Sequence, residues 1–155
     1  MTSLLKPLGG RDAVLLVARV LIGAIFLAHG WQKFTEWGLD GTGAAFEQMG
    51  VPAPGIAATL AAVIELVGGI ALILGALTTV FSVLLVLDMV GAAVLVHIGN
   101  GVFVTENGWE LVAALAAGAL VLAATGAGAY SVDRALTPRS QGRVADRQRE
   151  RALVG

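Results

Sequence analysis

An all-α, integral-membrane four-helix bundle with both termini in the cytoplasm is the fold this sequence predicts, and three observations predict it. The chain of 155 residues is 57% hydrophobic and 14% charged, more apolar surface than one small water-soluble core can hide. Four apolar stretches, residues 12–30, 55–77, 79–98 and 109–128, each approach the roughly 20 residues that a helix needs to cross a bilayer. The basic residues are lopsided. Lys6 and Arg11 precede the first stretch and Arg134, Arg139, Arg143, Arg147, Arg149 and Arg151 follow the fourth, whereas the first and third connections carry only Lys33. Under the positive-inside rule, with an even number of spans, both ends are cytoplasmic. The chain then divides into a transmembrane domain, 1–136, and an arginine-rich cytoplasmic tail, 137–155.

The first helix, 12–30, ends in Ala28-His29-Gly30, which has the small-x-small form of a signal-peptidase site. Arg19 inside the run and the spread Lys6/Arg11 flank argue for a retained helix instead. Residues 31–54 form the longest connection, outside the cytoplasm. Trp31, Phe34 and Trp37 suit an interfacial belt, and 44–49 suits a short amphipathic turn lying on the membrane surface. Pro52 and Pro54 stop that turn and start the second helix near Gly55. Only Gly75-Ala76-Leu77-Thr78-Thr79 separates the second and third helices, which makes a tight antiparallel hairpin. Residues 99–107 are a polar, glycine-bearing outer loop. Trp109 marks the water interface where the fourth helix begins, and Gly126-Ala127-Gly128 ends it. The tail from Pro138 reads as a segment drawn to anionic lipid, or as a docking site for a soluble partner.

Charges inside the spans point to where chemistry sits, because ionisable side chains at membrane depth face a protein interior, a wet cavity or one another. At the helical rise, Glu65 lies about 15 Å below the outer end of the second helix, Asp88 about 14 Å above the inner end of the third, and Arg19 about 10 Å above the inner face. The two acids share a level near the midplane, and a long arginine side chain can reach toward them. Two arrangements are open: an Arg19 salt bridge that fixes helix packing, or an unpaired carboxyl able to pass a proton to a redox cofactor or an ion pathway.

A second polar group, His29, Lys33, His97 and Glu110, falls near the outer face and forms a candidate headgroup pocket. Glu110 also suits a plain capping role at the start of its helix. A metal site from His29, His97 and Glu110 lacks any compact ligand motif, so no metal is expected. Gly68, Gly69, Gly75, Gly91 and Gly118 allow close helix approach. Gly68, one turn from Glu65, can also leave room for a ligand. The absence of cysteine rules out a dithiol, an iron–sulfur cluster or a thiolate metal site within the chain. No motif for haem or flavin stands out, and nothing points to nucleic acid.

The ordered set His29-Gly30-x-x-Lys33, Gly50-Val51-Pro52, Glu65-x-x-Gly68-Gly69, Gly108-x-Glu110 and Gly126-x-Gly128-x-Tyr130-Ser131-x-Asp133 resembles the DoxX family of small four-helix membrane proteins across nearly the whole core. The resemblance implies a bacterial inner-membrane protein related to the membrane subunit of thiosulfate:quinone oxidoreductase, with a quinone as cofactor and links to redox or thiol stress. It also implies a rival, non-catalytic role: an anchor joining soluble redox enzymes such as a superoxide dismutase and a sulfurtransferase. One departure stands out. Many members carry a basic residue in a G-x-x-T-R pattern where this chain reads Gly75-Ala76-Leu77-Thr78-Thr79, which weakens the expectation of a cytoplasmic headgroup contact there. A quinone-interacting redox subunit is therefore the leading expectation, with Glu65, Asp88 and Arg19 as the proton or charge cluster. The membrane anchor is the alternative, and a small-solute or proton transporter comes third because no inverted repeat is evident. Membrane lipids are partners in every case, and a homodimer would supply a missing wall.

Overall fold

The computed structural model describes residues 10–137. Lys6, Arg139, Arg143, Arg147, Arg149, Arg151 and the rest of the tail from Pro138 lie outside the described residues. Among the described residues six α-helices follow one another: α1 (Gly10–Thr35), α2 (Gly38–Gln48), α3 (Pro54–Leu74), α4 (Thr78–Ala92), α5 (Glu110–Thr125) and α6 (Val132–Leu136). No strand occurs among the described residues. A wide π-type turn, Ala93–His97, and a tight turn, Ile98–Asn100, prolong α4.

Three helical runs, Gly10–Thr35, Pro54–Leu74 and Thr78–Asn100, are long and apolar enough to cross a membrane. Where a fourth span is expected the chain forms α5, an apolar helix of 16 residues. It rises about 24 Å, short of a hydrocarbon core of about 30 Å. These helices are apolar on both sides. Phe26, Leu72, Leu85, Leu115 and Leu122 are buried at the centre, while Val17, Leu21, Leu60, Val67, Leu87 and Leu120 are exposed on the outside, a pattern suited to lipid rather than water.

In packing order α1 lies against α3, α3 against α4, α4 against α5, and α5 returns to α1. Missing side chains set the closeness of α1 and α3. A Cβ on Gly69 would sit 2.7 Å from the Gly23 carbonyl oxygen, and one on Gly30 would overlap the Leu66 backbone. Gly118 is pressed by Ile22 and Gly68 by Leu85, but Gly91 has nothing within 4 Å of a built Cβ, so the packing role expected for it is not there.

The segment after α1 departs from expectation. Instead of a short turn at 44–49 on the membrane surface, Gly38–Gln48 forms a helix seated on α3 and α1. Its inner face is small enough to allow this. Thr42 is buried, and a Cβ on Gly43 would lie 3.5 Å from Gly55 Cα.

Candidate functional site

Lys33 on α1 and Glu65 on α3 form a buried ion pair, with Nζ 2.5 Å from Oε2. Both side chains are nearly sealed, at 11% and 6% exposure. Asp88 on α4 lies within electrostatic reach of both, and its Oδ2 is buried without a hydrogen-bond partner. Three helices thus bring one ammonium and two carboxylates into one place. The meeting follows from the glycine contacts between α1 and α3. Gly30 precedes Lys33 by one turn and Gly69 follows Glu65 by one turn, so the lysine is drawn to the acid's level.

This corrects two expectations. Lys33 does not join His97 and Glu110 in an outer group, because its ammonium is buried against Glu65 instead. Arg19 is not in the carboxylate cluster either. Its guanidinium lies against Gly75, where a Cβ would overlap it, ten residues or about 15 Å along α3 from Glu65. Arg19 is 1% exposed and donates from Nη1 to the Ala127 carbonyl at 2.6 Å and from Nη2 to the Tyr130 carbonyl at 2.5 Å.

Around Arg19 the segment after α5 is tied beneath the other helices. Gly126 and Gly128, at φ +74° and +75°, turn the chain back in a region open to glycine. Asp12 Oδ1 then accepts the Ala129 amide at 3.0 Å. Asp133 Oδ1 and Oδ2 accept the amides of Leu77 and Thr78 at 2.7 and 3.0 Å, and the Asp133 amide donates to the Gly75 carbonyl at 2.9 Å. Those amides belong to the first turn of α4, which has no cap of its own and enters through Leu77 at φ +48°. A remote carboxylate performs the capping. Burial pushes the Asp133 carboxyl up, but hydrogen bonds from Thr78 and Leu77 and the charge of Arg19 outweigh it and hold its pKa below the ordinary carboxylate value. The glycine-rich run ending in Asp133 is a structural lock, a role its sequence spacing did not disclose.

The remaining outer residues do not converge. His97 Nδ1 pairs with the Asn107 carbonyl oxygen at 2.8 Å, and Glu110 Oε1 accepts the Val104 amide at 2.8 Å, so both shape the loop between α4 and α5. Glu110 thus binds the preceding loop, and α5 has no side-chain cap at its start. His29 is half-buried on α1. The space beside Gly68 is filled by Leu85, whose side-chain carbons lie 3.1 to 3.2 Å from a built Cβ, so no room for a ligand is left there. Among the described residues, no three His, Asp or Glu side chains come together in a way that could hold a metal ion.

A model of the DoxX family matches residues 14–98, the region that contains Lys33, Glu65 and Asp88. The chain belongs to the DoxX family. Among DoxX relatives, the Mycobacterium tuberculosis membrane protein Rv3486 is 37% identical over 132 residues, covering 79% of this chain and 80% of the relative. The Escherichia coli inner membrane protein YphA is 36% identical over 130 residues, covering 80% and 91%. CatD of Bacillus subtilis, named as a conjectured oxidoreductase, is 37% identical over 83 residues, covering 54% of this chain and 59% of its own length. No solved structure matches the chain. This DoxX protein is thus a membrane protein, like the relatives so named.

Proposed function

We propose that this DoxX protein is the quinone-facing membrane subunit of a redox system, a four-helix transmembrane bundle whose Lys33–Glu65–Asp88 trio handles protons. The observation that carries the reading is the charge count of the trio: two carboxylates, Glu65 buried and Asp88 half-buried with its Oδ2 sealed, share one buried ammonium. Three full charges there leave a net −1, which is costly at low dielectric. A proton on Asp88 makes the group neutral, keeps Glu65 as the anion held by Lys33, and leaves a carboxyl able to give up that proton.

A bound quinone would supply carbonyl oxygens that accept two electrons and two protons on conversion to the quinol. The donor set suits such a group, since Lys33 offers N–H donors and a protonated Asp88 offers an O–H from an oxygen that no protein group engages. Lys33 would orient the ring oxygen, Glu65 would fix Lys33, and Asp88 would supply one of the two protons, the second coming from solvent after Asp88 is reprotonated. Electrons must come from a partner, because without cysteine the chain has no cluster ligands of its own. The name of CatD agrees with a redox role for such relatives.

The placement of charge supports both termini lying in the cytoplasm. Arg11 and Arg134 stand at one end with the tail arginines following in sequence, while the single lysine of the opposite connections is turned inward to Glu65. A reporter fused after Arg151 should be cytoplasmic and one inserted at Gly41 should be external.

Native mass spectrometry of the protein extracted from its own membranes tests the function. The wild type should retain a quinone, and Glu65→Gln and Asp88→Asn should lose it along with quinone-dependent turnover while still inserting. If both variants keep the quinone and the turnover, the redox reading fails. A membrane anchor recruiting soluble redox enzymes then remains, and deleting residues 138–155 should release its partners.

A further inference from the structure

The bundle departs from four even rods at the step between α4 and α5. At their base the two helices are level, because the Thr79 hydroxyl donates to the Ala123 carbonyl at 3.4 Å. Leu77 and Val80 are exposed there, so the lipid-facing apolar surface already begins at that level. From Ala123 the axis of α5 rises about 20 Å to its start at Glu110, whereas α4 and its extension climb about 25 Å to His97 and run on to Asn100. A hydrocarbon core is about 30 Å thick. Above the start of α5, the chain is therefore loop at a depth where the other spans are helix.

Hydrogen bonds hold that loop in the step, beside the last turns of α4. His97 Nδ1 pairs with the Asn107 carbonyl oxygen, and Asn100 Nδ2 donates to the Val96 carbonyl at 3.0 Å and to the Asn107 carbonyl at 3.4 Å. The Glu110 amide donates to the Val102 carbonyl at 2.9 Å, and Glu110 Oε1 accepts the Val104 amide. Val102 and Val104 are thereby fastened at the level where α5 begins. Gly108 closes the knot, since a Cβ there would overlap the Val102 backbone. The amides of Glu106, Asn107, Gly108 and Trp109 donate to the carbonyls of Phe103, Val104, Phe103 and Gly101, at 2.8 to 3.2 Å. Backbone at membrane depth has to satisfy its polar groups internally. Every amide from Glu106 to Glu110 meets that demand.

The knot presents an apolar tip. Val102, Phe103 and Val104 are exposed in succession, Phe103 at 61%, with Ile98 and Trp109 exposed on either side. Such a run is a fault on a loop that faces water. Polar side chains that would give the segment to water are spent on backbone, Asn100 on Val96 and Glu110 on Val104. From Ile98 to Trp109 the only charged side chain is Glu106, so the tip offers little for a charged partner to read. Val94, Leu95 and Ile98, exposed on the last turns of α4, lead the lipid-facing surface up to it.

We infer that residues 101–109 form a lipid-embedded plug at the end of the bundle away from the Arg19 lock. Val102, Phe103 and Val104 lie among the acyl chains of that leaflet and complete the crossing that α5 leaves short. The occupant of the patch is lipid, not a protein. Neither the quinone nor the side on which the termini lie enters this inference.

Spin labelling of the full-length protein in phosphatidylcholine liposomes tests it. With no cysteine in the chain, each single cysteine carries one nitroxide and needs no second substitution. Phe103→Cys and Val104→Cys are the test positions, Leu87→Cys is the lipid reference on α4, and Arg134→Cys is the exposed reference at the base. Collisions with oxygen, which concentrates in lipid, and with a water-soluble nickel chelate are measured at all four. Labels at 103 and 104 should lose nickel collisions to the level of Leu87 and share its high oxygen collisions. If they collide with nickel as Arg134 does, the loop stands in water. If both probes are shut out, protein covers the tip. Either result overturns the inference, and two test positions keep it open to refutation where one variant fails to fold.

Discussion

Replacing Lys33 by methionine removes the only cation of the trio and leaves Glu65, 5% exposed, without its partner. Breaking one side of a sealed ion pair costs about 3–5 kcal/mol, because the remaining charge must be neutralised or left unsolvated. Glu65→Met should cost a similar amount, since Lys33 is also buried and pairs with nothing but Glu65 among the described residues. The double substitution behaves differently. Two flexible thioethers can fill the space the pair occupied, and exchange of a buried pair for apolar groups is often neutral. The double variant should therefore lie within about 1 kcal/mol of wild type, far from the sum of the singles. Reversible unfolding of the purified protein in detergent micelles measures the cycle, and native mass spectrometry of the same samples reads quinone retention. Recovered stability with lost retention would separate scaffold from site. Additive single costs would refute the paired-charge reasoning, and a stable double variant that keeps its quinone would reduce the pair to a staple.

Two further outcomes are expected. Asp133→Asn keeps the shape of the lock but removes the charge at the first turn of α4, and its partial exposure limits the loss to about 1 kcal/mol near neutrality. Because the folded pKa of Asp133 is lowered, its contribution is complete above the unfolded value of about 3.9 and fades as pH falls through the folded one. Wild type and variant should thus converge in acid, as melting across a pH series would reveal; a gap that persists in acid contradicts the assignment. Gly69→Ala would place a methyl 2.5 Å from the Leu27 amide nitrogen and 2.7 Å from the Gly23 carbonyl. The rigid backbone there must move apart, at a cost of about 1–3 kcal/mol, and Lys33 should be pulled from Glu65, so stability and quinone retention should fall together.

The spans were legible because hydropathy and the turn signals at Gly75, Trp109 and Gly126 act locally. Expected helices at 55–77 and 79–98 appear as Pro54–Leu74 and as α4 with its extension to Asn100. Depth was less legible. Counting residues from each helix end assumes parallel rods ending at common planes, and this assumption left Lys33 at the surface and Arg19 near the acids. Instead α1 runs on to Thr35 alongside α3, with Gly30 against Leu66, which carries Lys33 to Glu65. The clue available was a glycine one turn from each charge, Gly30 before Lys33 and Gly69 after Glu65. The lock was hidden for another reason. Asp133 caps amides 55 and 56 positions earlier in the chain, and no periodicity or local motif encodes a contact at that separation. Asp88 was readable as an interior carboxyl, but its lack of a partner depended on Lys33 being claimed by Glu65.

The separation of the two charged centres has a consequence of its own. Arg19 serves the lock and stands about 15 Å along α3 from Glu65, beyond the range at which sites sharing no partner usually couple. Arg19→Met strips donors from the Ala127 and Tyr130 carbonyls and should cost about 2–4 kcal/mol. Arg19→Lys should recover little, since one ammonium cannot reproduce a fork spanning two carbonyls. Combined with Glu65→Gln, the losses should sum to within about 0.5 kcal/mol, and Arg19→Met alone should leave quinone retention unchanged in the folded fraction. A strong coupling term, or quinone lost on changing Arg19 alone, would mean that α3 transmits strain between its ends. The lock would then be part of the mechanism rather than the fixed floor against which the trio is held.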